Sequence, residues 1–198
     1  MRKSEYALYD NLFPDIQNSI SFGNTCSLCS EKLSFTGEDI IWGNGPKDAT
    51  IMVIGKDSAG GNINESLWKG SRITRIPLTN KKSGAKIRIM FHKLGVNPHR
   101  IYFTNTVKCN TGYLNENNFS YNTLVNNCIQ HLSREIKIIK PRMIICLGRS
   151  VHRLVYKHIE SCFNNYELDK CRYLEHPSRV EGIKRESVYI QKLHDLLM

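Results

Sequence analysis

Four cysteines have the spacing of a metal or cluster site. Cys26 and Cys29 form a Cys-x-x-Cys pair in a polar segment, whereas Cys109 and Cys128 lie much further along the chain. Four thiolates suit either an iron–sulfur cluster or a structural zinc ion. Taken alone, Cys128 is also typical of a small core residue, while the paired spacing of Cys26 and Cys29 favours a metal. These residue types therefore predict a metal site and leave iron–sulfur and zinc open.

Three polar residues directly follow apolar runs and carry complementary chemistry: Asp57, Asn105 and His176. A carboxylate can hold an attacking water and stabilise developing positive charge. The Asn105 amide offers one acceptor and two donors, and a histidine can stabilise an oxygen that gains negative charge. Each residue also has a structural interpretation: Asp57 as a turn cap, Asn105 as a turn former, His176 as a structural histidine.

Short apolar runs that end at glycine or polar residues predict four buried strands. They are Ile51–Ile54, Ile101–Asn105, Met143–Gly148 and a weaker fourth strand at Cys171–Leu174. Strands of this kind alternate with amphipathic segments, which is the pattern of a parallel sheet with right-handed crossovers. The sequence therefore predicts an α/β fold with a central, mainly parallel four-stranded sheet and helices on both faces.

Apolar residues at helical spacing predict the intervening helices. In the first, Gly95 stands at the position that follows a helix C-terminus, and Pro141 ends the second. The apolar positions of the four helices are Ile87, Met90, Phe91 and Leu94; Leu124, Cys128, Leu132, Ile136 and Ile139; Val151, Leu154, Val155 and His158; Val188, Leu193, Leu196 and Leu197. Ligands of open α/β sheets bind beyond the carboxyl ends of the strands, so the polar segments there are expected to form one site.

Composition limits the class of partner. The chain has 198 residues, and its 28 Lys and Arg exceed its 18 Asp and Glu, so the formal net charge is +10. That excess predicts an anionic partner such as nucleic acid. No apolar run approaches the ~20 residues of a membrane helix. The first ten residues contain no secretory apolar core, so we expect a cytoplasmic protein with no membrane partner, and a monomer.

Several motifs in a fixed order resemble one family. They are "CSLC", "IWGNGPKDATIMVIG", "IYFTNTVKCN", "NNCIQHLSREIKIIKPRMIICLG" and "HPS". In order and spacing they are similar to the iron–sulfur uracil-DNA glycosylases, families four and five of the uracil-DNA glycosylase superfamily, from Cys26 to the C-terminus. The resemblance implies a three-layer α/β/α sandwich in a single domain, 1–198, whose N-terminal segment 1–45 carries half of the cluster site.

The resemblance also assigns the cysteines. It implies a structural four-iron, four-sulfur cluster on Cys26, Cys29, Cys109 and Cys128. By analogy, the cluster would brace loops beside a DNA groove. A zinc-bound nucleic-acid protein remains the alternative.

For activity, the resemblance implies a monofunctional DNA glycosylase, which flips a nucleotide out of single- or double-stranded DNA and hydrolyses its N-glycosidic bond. Asp57 would hold the water, Asn105 would read the base, and His176 would stabilise the departing base. Family four carries Glu where this chain has Lys56, so Asn62 is a second candidate for activating the water. No lysine is evidently placed for a Schiff base.

One departure bears on the substrate. Family four has an aromatic residue that stacks on uracil, and the nearest match here is Leu78. Uracil is the first expectation. A glycosylase for another modified base, such as a hypermodified pyrimidine of phage DNA with a role in defence, is the alternative, as is a DNA-binding relative that has lost activity.

The remaining predicted contacts are to DNA. Exposed N–H groups at loops and helix starts bind phosphates, and basic clusters predict salt-sensitive binding. Ser58 is predicted at the base or a phosphate, and Ser178 and Arg179 at the DNA backbone or minor groove. The other predicted DNA contacts are Gly60, Gly61, Arg149 and Ser150, together with the basic cluster of Lys81, Lys82, Lys86 and Arg88.

Overall fold

The computed structural model of the protein describes residues 42–57, 77–78, 83–108, 119–162, 169–180 and 182–198. Four strands and four helices alternate along these ranges. The strands are β1 (Ile51–Gly55), β2 (Ile101–Asn105), β3 (Met143–Leu147) and β4 (Cys171–Leu174); the helices are α1 (Gly84–Lys93), α2 (Phe119–Ile139), α3 (Arg149–Cys162) and α4 (Ile183–Leu197).

The four strands form one parallel sheet in the order β2-β1-β3-β4. In the register, Gly55 pairs with Asn105 across β1 and β2, and Leu147 pairs with Leu174 across β3 and β4. The strands are buried almost throughout because helices cover both of their faces, which is why they appear in the sequence as continuous apolar runs. All four carboxyl ends lie at the same edge of the sheet.

Alternate strand residues belong to two cores. One face, with Ile54 and Cys146, packs against α2 and α3, and the other, with Val53 and Leu147, packs against α1 and α4. The sheet is therefore the middle layer of an α/β/α sandwich. The predicted fold class is confirmed.

The helix ends follow the sequence signals. After α1, Gly95 adopts φ +74°, and the amides of Gly95 and Val96 donate to the carbonyls of His92 and Phe91. This is a Schellman C-terminus, which a glycine at that position favours.

The predicted third strand was one residue too long, because Gly148 turns away at φ +104° and β3 ends at Leu147.

The two outer strands of the described sheet, β2 and β4, differ in how their free sides are covered. Asn44 exchanges both backbone hydrogen bonds with Phe103, each 2.8 Å, so the free side of β2 is paired with the segment before β1. At the other side, β4 is four residues long and exposes Arg172 and Tyr173. Across the ranges that the structure describes, no helix is long and apolar enough to span a bilayer.

Two cysteines outside the predicted metal site meet inside the sheet. Cys146 of β3 and Cys171 of β4 are buried with their Sγ atoms 3.6 Å apart. Burial raises the pKa of the Cys146 thiol. Cys146 is thus a core residue, as its strand position predicted, and Cys171 is its neighbour.

Candidate functional site

The ends of β1 and β2 are joined by hydrogen bonds that continue beyond the sheet. The amide of Thr106 donates to the carbonyl of Gly55 (2.9 Å), and the amide of Val107 donates to the carbonyl of Lys56 (3.0 Å). The Thr106 hydroxyl donates to the same Lys56 carbonyl. These bonds fix the path of both segments where they leave the sheet, and Asp57 directly follows Lys56.

Asn105 is almost fully buried, at 1% exposure, and its side chain lies over Gly55. A Cβ atom at Gly55 would be 2.5 Å from Asn105 Oδ1, so the amide occupies the space that any side chain at Gly55 would need. Among the described residues, Asn105 Oδ1 has no hydrogen-bond partner. A buried acceptor without a partner is unfavourable by itself and marks a place where a ligand can donate.

Leu78 lies against the same glycine, with its Cδ2 atom 2.9 Å from the position of a Gly55 Cβ. Its backbone has φ +56°, an uncommon conformation for leucine. The adjacent Pro77 carbonyl accepts a hydrogen bond from the Arg88 guanidinium (3.1 Å). The predicted base-contacting residue Leu78 thus lies beside Asn105, in a turn attached to α1.

The sequence-based assignment of Arg88 to a basic DNA-binding cluster was wrong. Arg88 is fully buried, and its guanidinium lies 3.6 Å from the centroid of the Phe103 ring. A cation over an aromatic face is stabilised by the ring's negative potential, which helps to explain how this charge lies inside the protein. Lys86 of the same cluster donates to the Val180 carbonyl (2.8 Å).

His176 follows β4 and caps the short 3₁₀ turn Pro177–Arg179. Its Nδ1 accepts from the Ser178 amide (3.3 Å) and lies 2.7 Å from the Ser178 hydroxyl. A backbone amide can only donate, so Nδ1 carries no proton and the neutral ring has its proton on Nε2. Burial, followed by the charge of Arg179, lowers the pKa of His176, which favours this neutral form.

His176 is placed at the sheet edge through β3. The Gly148 amide donates to the Leu174 carbonyl (2.8 Å), and a Cβ at Gly148 would be 3.8 Å from the His176 Cβ. Asn105 is the last residue of β2 and His176 follows β4, and these two strands are separated by three strand spacings, ~14 Å. Asp57 follows a strand between them. The structure thus brings the three predicted residues to one edge, in the order Asn105, Asp57, His176.

The predicted DNA contacts that the structure describes flank this edge. Arg149 is exposed in the first turn of α3, beside half-buried Ser150. Ser178 and Arg179 are exposed in the turn after His176. Ser58, Gly60, Gly61 and Asn62, as well as Lys81 and Lys82, lie outside the described residues, so their assignments stay predictions.

Of the predicted cluster ligands, Cys128 is described. It is 2% exposed and packs in a small cluster with Val107, Leu124 and Val125. Val107 precedes Cys109 by two residues, so the chain leads from this cluster towards a second predicted ligand. Cys26, Cys29 and Cys109 lie outside the described residues, among which no group of three or more metal-binding side chains occurs.

A buried ion pair behind Asn105 escaped the sequence analysis. Lys108 Nζ lies 2.6 Å from Glu135 Oε2, and the two side chains are 1% and 0% exposed. Nζ also donates to Thr104 Oγ1 (2.6 Å) and to the Asn105 carbonyl (2.7 Å). One signal was present: Glu135 falls between Leu132 and Ile139 on the apolar stripe of α2, where an unpaired carboxylate would be unfavourable.

Comparison with known proteins identifies the family. The family model described as "Uracil DNA glycosylase superfamily" matches residues 42–196. The match covers all four strands, the residues that follow them and all four helices except Leu197. A search of curated proteins gave no match.

Proposed function

Because the chain belongs to the uracil DNA glycosylase superfamily, whose members are DNA glycosylases, we propose that it flips a nucleotide out of DNA and releases uracil by hydrolysing the N-glycosidic bond. The observation that carries the proposal is the convergence of Asn105, Asp57 and His176 at one edge of the parallel sheet. The net charge of +10 suits a DNA partner.

In this mechanism, Asn105 recognises the base. Its buried Oδ1, without a partner in the described residues, would accept from an N–H of the flipped base, and its amide group would donate to a base carbonyl. A base that donates to Oδ1 supplies the hydrogen bond that this atom lacks among the described residues. A base with an acceptor at that position leaves Oδ1 unpaired, and the resulting free-energy cost provides selectivity.

His176 acts on the leaving group. As the glycosidic bond breaks, negative charge grows on a base oxygen, and the Nε2–H donor stabilises it more strongly in the transition state than in the ground state. The two Ser178 contacts to Nδ1 hold the ring in the required tautomer. The Asp57 carboxylate would hold the attacking water and stabilise the positive sugar.

The cleavage is proposed to be monofunctional. A bifunctional glycosylase needs an amine that attacks the sugar. Lys108, the lysine beside Asn105, uses its three N–H donors on Glu135, Thr104 and the Asn105 carbonyl. An ammonium group held in this way is a poor nucleophile.

A four-iron, four-sulfur cluster on Cys26, Cys29, Cys109 and Cys128 is proposed as a structural group. Two observations support it. The buried Cys128 lies beside Val107, close in sequence to Cys109, and Gly43 donates to Glu135 of α2, the helix that carries Cys128. The thirteen-residue step from Cys29 to Trp42 can span ~45 Å, so the N-terminal pair can reach α2. The bound cluster would brace the chain after β2.

The experiment uses single- and double-stranded oligonucleotides that contain uracil or a modified pyrimidine. After incubation, alkali cleaves abasic sites, and mass spectrometry identifies the released base. Release of uracil by the wild type, with strong loss in Asp57→Asn and His176→Ala, is expected. A mobility shift without any released base would overturn the proposal in favour of a DNA-binding role.

A modified base is the second candidate, and Leu78 favours it. An aliphatic side chain beside Asn105 stacks on a base less strongly than an aromatic ring does. Preferential release of a bulky pyrimidine would support this candidate.

The cluster is tested separately. Broad absorbance at ~400 nm with four iron atoms per chain is expected, and Cys109→Ala should lose iron and soluble yield. A colourless protein with stoichiometric zinc would overturn the cluster.

A further inference from the structure

The electrostatic energy of the Lys108–Glu135 pair does not by itself explain why two charges are buried at this place. Removing two charges from water is unfavourable, and such pairs are often replaced by apolar residues without loss of stability. Here both charges are buried, and every donor of Lys108 is used. One of those donors contacts the residue that would read the base.

We propose that Lys108 and Glu135 form a positioning pair that fixes the orientation of Asn105 for base recognition. The inference rests on the proposed function of Asn105 and adds to it two residues that touch no substrate.

The geometry of one peptide group supports this role. The carbonyl of Asn105 accepts from Lys108 Nζ (2.7 Å), and the N–H of the same peptide, on Thr106, donates to the Gly55 carbonyl (2.9 Å). The peptide plane is therefore held at both ends. Because this plane fixes the backbone of Asn105, it also fixes the direction in which the side chain leaves the strand over Gly55.

Glu135 in turn holds Lys108. Its Oε2 accepts from Lys108 and from the Thr104 hydroxyl (2.7 Å), and its Oε1 accepts from the Gly43 amide (3.0 Å). These contacts join α2, β2 and the segment before β1 at one carboxylate. The ammonium group consequently has one favourable position, opposite the Asn105 carbonyl.

Neutral replacements can separate positioning from folding. Lys108→Met or Glu135→Gln alone leaves one buried group without its charged partner, so each should lower the Tm. The double variant K108M/E135Q removes both charges and should recover most of the Tm. The Asn105 carbonyl still lacks its donor, so single-turnover excision at saturating enzyme should stay roughly 10²-fold below wild type, the scale of a catalytic group misplaced by ~1 Å.

The matched control is the exposed pair Lys93–Glu186, with the same 2.6 Å separation, on α1 and α4. K93M/E186Q should leave both Tm and excision close to wild type. If excision in K108M/E135Q returns together with its Tm, the pair is only structural and the positioning role is overturned.

Hydrogen exchange gives a readout that does not depend on activity. In K108M/E135Q, the amides of Thr106 and Val107 should exchange faster, while those of β1 and β3 keep wild-type protection. Unchanged exchange at Thr106 would overturn the proposal. If the wild type released no base but exchange at Thr106 still accelerated, the proposed function would fail, whereas the hold of the pair on the Asn105 peptide would be supported.

A second variant covers the case in which the double variant does not fold. Glu135→Asp keeps both charges but shortens the side chain that holds Lys108. We expect a folded protein with reduced kcat and nearly unchanged KM. Wild-type kcat in this variant, with wild-type exchange at Thr106, would contradict the role.

Discussion

The two ends of the candidate site are built in different ways. At the β1–β2 end, Asn105 is almost fully buried and is held by its backbone, by Gly55 and by a buried ion pair. At the β4 end, His176 is half-buried, caps a three-residue turn, and contacts the exposed Ser178 through its ring Nδ1. The proposed base reader, Asn105, thus belongs to the core, whereas the proposed leaving-group donor, His176, lies closer to the surface.

This difference has a physical reason. Discrimination between bases needs fixed donors and acceptors that water cannot replace, which a buried amide supplies. A charge-stabilising donor must meet DNA that enters from solvent, so some exposure is unavoidable there. We therefore expect substitutions at the two ends to separate stability from activity to different degrees.

The largest effect tests the contrast directly. His176→Ala should lower single-turnover excision by about 10²- to 10³-fold, the scale for a lost donor to a developing oxyanion. Its Tm should stay near wild type because the ring is half-buried. Asn105→Ala should lose comparable activity and also lower the Tm. Equal Tm losses in the two variants would remove the distinction between the ends.

Gly55→Ala probes the buried end without touching a polar group. The new Cβ would meet Asn105 Oδ1 at 2.5 Å and Leu78 Cδ2 at 2.9 Å. Both atoms are ends of side chains and can move, so we expect a modest Tm loss but a reduction in excision of roughly 10²-fold.

The control for Gly55→Ala is Gly182→Ala. A Cβ at Gly182 meets nothing within 4 Å, although the backbone has φ +83°. This variant should lose about 1 kcal/mol of stability and keep its excision rate. If Gly55→Ala excises like wild type, Gly55 does not constrain Asn105.

The pH dependence sharpens the description of the exposed end. Because the pKa of His176 lies below the ordinary 6.5, the neutral ring persists as pH falls through that value. An unfolded chain takes up this proton first, so the corresponding stability is lost as pH falls below 6.5. Ser178→Ala removes one contact to Nδ1 and should move the acidic limb of excision upward. NMR titration measures the pKa of the His176 ring in the wild type and in Ser178→Ala, and the pH profile of excision gives the acidic limb. A wild-type ring that titrates above 6.5 would contradict the assignment.

The smallest expected effect concerns DNA binding at the rim. Arg149→Ala should weaken binding to all sequences and reduce the slope of log K against log salt by about 1. The control is Arg100→Ala. Arg100 pairs with Asp48 before β2, at the opposite end of the sheet, so this variant should leave the slope unchanged. An equal change in both variants would place DNA elsewhere.

Much of this fold was predictable because the dominant signals are local. Apolar runs such as Ile51–Ile54, the glycine after α1 and Pro141 after α2 each act over a few residues. The order of the strands was not predictable, since it depends on which crossover covers which face. The edge position of Asp57, Asn105 and His176 followed from parallel pairing alone.

Predictions based on the charge of single residues were the least reliable. Arg88 has the sequence context of a surface cation, but the Phe103 ring that shields it belongs to a strand further along the chain. Lys108 and Glu135 are likewise far apart in sequence, so their pairing appears when β2 packs against α2. The metal-ligand assignments of the four cysteines and the predicted roles of Asn62, Gly60 and Gly61 stay predictions.

The way in which the outer strands β2 and β4 end the described sheet affects whether copies of this chain can pair strand to strand. The backbone groups of Phe103 on the free side of β2 are already satisfied by Asn44, and among the described residues β4 forms the other border, which is four residues long and carries Arg172. Such borders resist strand-to-strand growth into fibres or continuous intermolecular sheets. Concentrated solutions should therefore stay free of β-rich aggregates, as judged by thioflavin fluorescence, as long as the segment around Asn44 remains in place.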